Sequence, residues 1–104
     1  AFVDGFKAWV AADKTRIENN GGTADAISSV TPCGYDAYMA AVHAIEAANS
    51  TVGSDIQAAL TTLQVPGLVT GDLSFDENGD AVKTYAVIKT IKDGQIVYYS
   101  TYNG

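Results

Sequence analysis

The chain has 104 residues, 47% hydrophobic and 17% charged, a composition that excludes a disordered tail or a fibrous repeat and fits one globular unit. Six Lys and Arg against twelve Asp and Glu give a formal net charge of −6, and the bases are scattered rather than clustered, so no nucleic acid is expected as a partner. No apolar run approaches the roughly 18 residues of a membrane span, and the single cysteine, Cys33, excludes an internal disulfide or a thiol pair.

The first residues, Ala1-Phe2-Val3-Asp4, lack an initiator methionine and already stand inside an amphipathic pattern, so the reading expects a longer parent upstream. Phe2, Phe6, Trp9, Val10 and Ile17 recur near the 3.6-residue period, with Asp4 early and Lys14 and Arg16 late, as the helix dipole prefers. This predicts one helix, stopped by Asn19-Asn20-Gly21-Gly22, residues that tolerate the left-handed conformation of a helix end. Thr31-Pro32 predicts the opening of a second helix, with a hydroxyl to cap and a proline in the first turn. Tyr35, Met39, Val42 and Ile45 follow amid Ala37, Ala40, Ala41, Ala44, Ala47 and Ala48, the pattern of a helix packed on several sides and largely buried.

Ser54 and Gln57 have capping-box spacing and predict a third, short helix with Ile56, Ala59, Leu60 and Leu63 on one face, terminated by Pro66-Gly67. Beyond it the chain turns β-like. Leu73-Ser74-Phe75 alternates as a short strand, residues 76–80 form a turn, and Asp93-Gly94 between two β-rich runs signals a two-residue hairpin. In 85–91 and 96–102 hydrophobic residues fall on both alternating faces, so this strand pair is expected to be covered on both sides or packed against another molecule. The fold class is mixed, α+β for this chain: three helices (about 2–64), then a short strand and an antiparallel hairpin in a β-rich tail (about 70–102), as a single unit over 1–104.

Few residues point to chemistry. His43, the only histidine, lies on the helical face of Asp36 and one turn from Glu46, which is the setting of a carboxylate-tuned base. The plainer reading is a polar edge on an apolar helix, since no serine or cysteine nucleophile is placed beside it. Cys33, at the start of the second helix, would have a lowered pKa if exposed to the helix dipole; burial as a small hydrophobe is the expected role. Asp76, Asn78 and Asp80 resemble part of a calcium loop, but Gly79 is misplaced and the required glutamate is absent, so the segment reads as a turn. Asn49-Ser50-Thr51 matches a glycosylation acceptor and reads as a loop after a helix. Tyr85, Tyr98, Tyr99 and Tyr102 concentrate aromatic surface in the hairpin, with sheet packing as the expected use. No enzyme activity, cofactor or metal is expected.

The order of these signals carries a family resemblance. The Tyr35-Asp36-Ala37 helix, its Ile45-Glu46-Ala47-Ala48 end, the helix at 54–60, Gly71, Phe75-Asp76-Glu77-Asn78-Gly79-Asp80 and Val87-Ile88-Lys89 together resemble the C-terminal portion of type I periplasmic binding proteins of the branched-chain amino-acid ABC transporter class. The resemblance implies two Rossmann-like α/β lobes with ligand held in the cleft between them, an amino acid as ligand, a membrane permease as partner, and an extracytoplasmic location, periplasmic or as a cell-surface lipoprotein. It places one cleft-facing, ligand-binding position at Val30, where this chain has valine in place of an aromatic residue. It also implies that apolar surface on the second helix and the hairpin is hidden by self-association or a domain swap. The same fold serves as the sensor of receptors, and a self-contained small enzyme using His43 ranks last among the readings.

Overall fold

A computed structural model of the chain describes residues 1–103. Among these residues there are four helices, α1 (Phe2–Ala11), α2 (Lys14–Asn19), α3 (Thr31–Ala48) and α4 (Gly53–Leu60), followed by five strands. Strands β1 (Val65–Leu68), β2 (Gly71–Phe75) and β3 (Ala81–Val82) form one antiparallel sheet in that order; β4 (Tyr85–Lys92) and β5 (Gln95–Asn103) form a second, separate hairpin. The expected α+β class holds.

The expected first helix is two. Asp13 adopts an extended conformation (φ −147°, ψ 129°) and its carboxylate accepts the Arg16 N–H at 3.0 Å, so it caps a new helix rather than continuing the old one. Arg16 folds back across the break, donating to the Trp9 carbonyl at 2.9 Å with its guanidinium 4.2 Å from the ring centroid. The predicted stop is where expected: Gly21 is left-handed (φ 75°), and the Gly22 N–H donates to the Ile17 carbonyl at 2.8 Å.

Helix α3 begins one residue early, with Val30 at the N-cap and Thr31 already helical, so the Thr31 hydroxyl does not cap it. The Thr31 N–H instead donates to the Ser28 carbonyl at 3.1 Å. The predicted capping box of α4 is also absent, because the helix starts at Gly53 and puts Ser54 inside its first turn. The hydroxyl that organises this entry is Ser50, which accepts the Val52 N–H at 3.1 Å and donates to Asp55 at 2.7 Å. Pro66-Gly67 lies within β1 rather than ending a helix. The proline is tolerated because β1 is an edge strand, and Gly67 (φ 71°) makes the irregularity between Val65 and Leu68.

Helix α3 is covered on one side only. Asp36, Ala40 and Ala44 are buried, whereas Tyr35 and Tyr38 are exposed, correcting the expectation of a largely buried helix. Cys33 is exposed too, with its thiol 3.6 Å from the Ser29 carbonyl, where burial was expected. The reasons differ: α4 and the first sheet pack on one face of α3, leaving Tyr38 outside and Tyr35 against Phe2 of α1 with ring centroids 5.2 Å apart, whereas Cys33 stands beside a pocket that α3, α4 and the first sheet leave open. The core is accordingly small, with Ala40, Val65 and Leu73 buried among Leu63, Leu68 and Phe75.

The hairpin turns at Asp93 and Gly94, both left-handed (φ 53° and 76°), the two-residue geometry that matches strand twist. Tyr99 is an extra residue in β5, since the register passes from Ile88↔Ser100 to Lys89↔Tyr98. Neither face of this hairpin is covered within the chain; Ile91 and Ile96 are 74% and 73% exposed. The radius of gyration, 16.9 Å, exceeds the roughly 13 Å of a compact domain of this length. The accessible surface, 7599 Å², likewise exceeds the roughly 5,500 Å² of a compact monomer of this mass.

Candidate functional site: the Asp36 junction and the start of α3

Asp36 is the one buried charged residue among those described, and every hydrogen bond its side chain makes is to a single turn. Its carboxylate accepts the Val69 N–H at 3.0 Å, the Thr70 N–H at 2.7 Å and the Thr70 hydroxyl at 2.6 Å. Burial pushes the carboxyl pKa up, but the Thr70 hydroxyl, the Thr70 and Val69 N–H groups and the Lys83 charge together outweigh it, and the net position is below the ordinary value. Asp36 is therefore ionised at neutral pH and acts as an acceptor, not as a general acid.

Thr70 passes the network on. The Lys83 ammonium donates to the Thr70 hydroxyl at 3.0 Å and to the carbonyls of Thr70 and Asp72, both at 3.3 Å. The Tyr85 hydroxyl donates to the Thr70 carbonyl at 3.0 Å. Gly71 (φ 91°) leaves the space for this, since a Cβ there would stand 3.1 Å from Tyr85 Cε1. Helix α3, the β1–β2 turn and the entry to β4 are thus joined at one point. A pocket of about 380 Å³ opens beside it, between Cys33, Ala37, Leu60, Leu73 and Phe75.

The chemistry available here is positional. The Thr70 hydroxyl donates to a carboxylate and accepts from an ammonium, and the Lys83 ammonium has three acceptors, so neither is free to act as nucleophile or base. His43 is not recruited: Asp36 faces the turn, and Nδ1 of His43 lies 3.5 Å from the exposed Glu46 carboxylate instead, as a polar edge of α3 would. Asp76 is consumed by its own turn, accepting the N–H groups of Asn78 and Asp80, each at 2.9 Å, which hold its carboxyl below the usual range. The turn reading of 76–80 therefore stands, and among the described residues no group of three or more His, Cys, Asp or Glu is arranged to hold a metal.

Val30 occupies the N-cap of α3 and is 68% exposed, its carbonyl accepting the Gly34 N–H at 3.0 Å. Of the tyrosines, Tyr85 reaches the junction through its hydroxyl while staying 41% exposed, and Tyr98, Tyr99 and Tyr102 are more exposed still, with the Tyr98 and Thr101 hydroxyls 3.1 Å apart. The sequence marks Asp36 as a neighbour of His43 and as part of the Tyr35-Asp36-Ala37 helix, and neither names its partner. A lone acid on the buried side of an alanine-rich helix was the available signal, but its partner lies 34 residues away.

Residues 2–93 match the family model described as receptor family ligand binding region. No curated protein and no solved structure matches the chain. Among the described residues no helix is long and apolar enough to cross a membrane. The mixed helix-and-sheet architecture is consistent with part of a type I periplasmic binding fold, and the family is one of extracellular ligand-binding regions rather than enzymes. On a match that spans almost its whole length, the chain belongs to the receptor family ligand-binding region.

Proposed function

We propose that the chain is the C-terminal portion of an extracytoplasmic solute-binding protein that captures branched-chain amino acids and hands them to the membrane permease of an ABC transporter. The family match over residues 2–93 carries this reading. The uncovered side of α3 and the bare faces of the hairpin support it, because a second lobe is the element that would cover them. The surplus of accessible surface over a compact monomer, about 2,000 Å², is of the size that large permanent interfaces bury. Val30, exposed at the start of α3, is the position assigned to touch the ligand. A second reading has the same ligand chemistry in a sensing receptor, favoured by the family's own description.

Nuclear magnetic resonance titration of the chain with leucine, isoleucine and valine tests the proposal. With part of the cleft present, binding is expected in the millimolar range, with shifts gathered at residues 28–33 and abolished by Val30→Asp. Glucose is expected to produce none. Absence of any shift with the amino acids, or equal shifts with glucose, overturns the assignment.

A further inference from the structure

The β4–β5 sheet holds two strands alone, so both of its long edges are open among the described residues. An open edge presents a row of unpaired N–H and C=O groups, and the ligand chemistry that satisfies such a row is another extended strand. A sheet of two strands is also marginal by itself, three or more being needed for independent stability.

The two edges differ in what they admit. Strand β4 carries Lys89 and Lys92, which fall on opposite faces of the hairpin, and charged edges resist pairing. Strand β5 reads QIVYYSTYN: nine residues without a charge, proline or glycine, rich in aromatic and β-branched side chains. That composition favours pairing with an identical segment. The charge distribution points the same way. Of all the charged side chains only Lys89, Lys92 and Asp93 lie in the hairpin, which therefore carries +1 and leaves −7 on the rest of the chain. Like charge opposes contact between two bodies strongly and contact between two hairpins only weakly.

We propose that β5 pairs antiparallel with the β5 strand of a second copy, making a four-stranded sheet about a two-fold axis. The lysine-bearing β4 strands then form both outer edges, so the assembly closes at two chains. The extra residue at Tyr99 interrupts the ladder and keeps the shared segment short, and the dimer therefore dissociates on dilution. This assembly does not rest on the amino-acid reading, and its test contains no amino acid.

Light scattering from about 10 µM to about 1 mM, paired with amide hydrogen exchange, reads the contact directly. Expected are a monomer–dimer equilibrium and exchange protection in β5 that rises with concentration. Tyr99→Lys, at the residue with no partner in β4, is expected to weaken the dimer at least tenfold while keeping the hairpin's circular dichroism. Thr101→Lys serves if that variant unfolds, and Tyr38→Lys on α3 is expected to leave the dimer intact. A monomer at every concentration, growth beyond two chains, concentration-independent β5 exchange, or a dimer sensitive to Tyr38→Lys and indifferent to both β5 lysines overturns the proposal.

Discussion

The Asp36 carboxylate and the Thr70 N–H, 34 residues apart, meet at 2.7 Å, and the Thr70 hydroxyl closes on the same oxygen at 2.6 Å. With Val69 this turn supplies three donors to one buried acid. The small core leaves α3 and the first sheet with few other long-range ties, which makes this polar contact a large part of what fixes their relation. Asp36→Ala orphans all three donors and is expected to lower unfolding free energy by about 3 kcal/mol. Asp36→Asn retains one acceptor and is expected to cost about half as much. Urea midpoints of the three proteins measure the order; an Ala variant within error of the parent removes the clamp from the account.

The same contact sets an acid limit. A carboxyl held below its ordinary value favours the folded state when ionised, so its contribution is complete above the unfolded value of about 3.9 and disappears as pH falls through the lower folded value. Asp76 shifts in the same direction and adds to the slope. Stability is therefore expected to be flat in these two groups near neutrality and to fall below about pH 4. The difference in urea midpoint between pH 7 and pH 3 should shrink in Asp36→Asn. An unchanged difference would mean that Asp36 titrates alike in both states.

Gly71 and Tyr85 give a third measurable relation. Gly71→Ala puts a Cβ 3.1 Å from Tyr85 Cε1 at a backbone φ of 91°, and is expected to cost about 2 kcal/mol. Adding Tyr85→Ala should return only the part due to the ring, since the left-handed conformation still penalises alanine. Thermal unfolding of the single and double variants separates the two; complete recovery in the double variant would assign the whole cost to the contact.

Several elements could be read directly from residue order. The Asn19-Asn20-Gly21-Gly22 stop, the Asp93-Gly94 hairpin and the turn at 76–80 are local events, decided by left-handed backbone tolerance and by side chains that bond their own neighbours. Caps were harder. Asp13, Ser50 and Val30 took roles that the reading gave to no residue, to Ser54 and to Thr31, because a cap depends on where the first helical residue falls, and several hydroxyls and carboxylates compete within a few positions. Strand β1 was hidden behind Pro66-Gly67, which reads as a terminator unless the strand is known to lie at an edge.

What the residue order determined by itself was a helical part followed by a β part, the stop after α2, the turns at 76–80 and 93–94 and, through the arrangement of those segments, a ligand-binding family. Tertiary structure alone decided which side of α3 is covered, that Cys33 is exposed, and that Asp36 belongs to Thr70 rather than to His43. Helical spacing gives the angle between residues on one helix and nothing about which other segment arrives on that face. The partner of a buried acid lies beyond the reach of local pattern, and it is chosen when the chain closes and its unpaired backbone donors must find an acceptor.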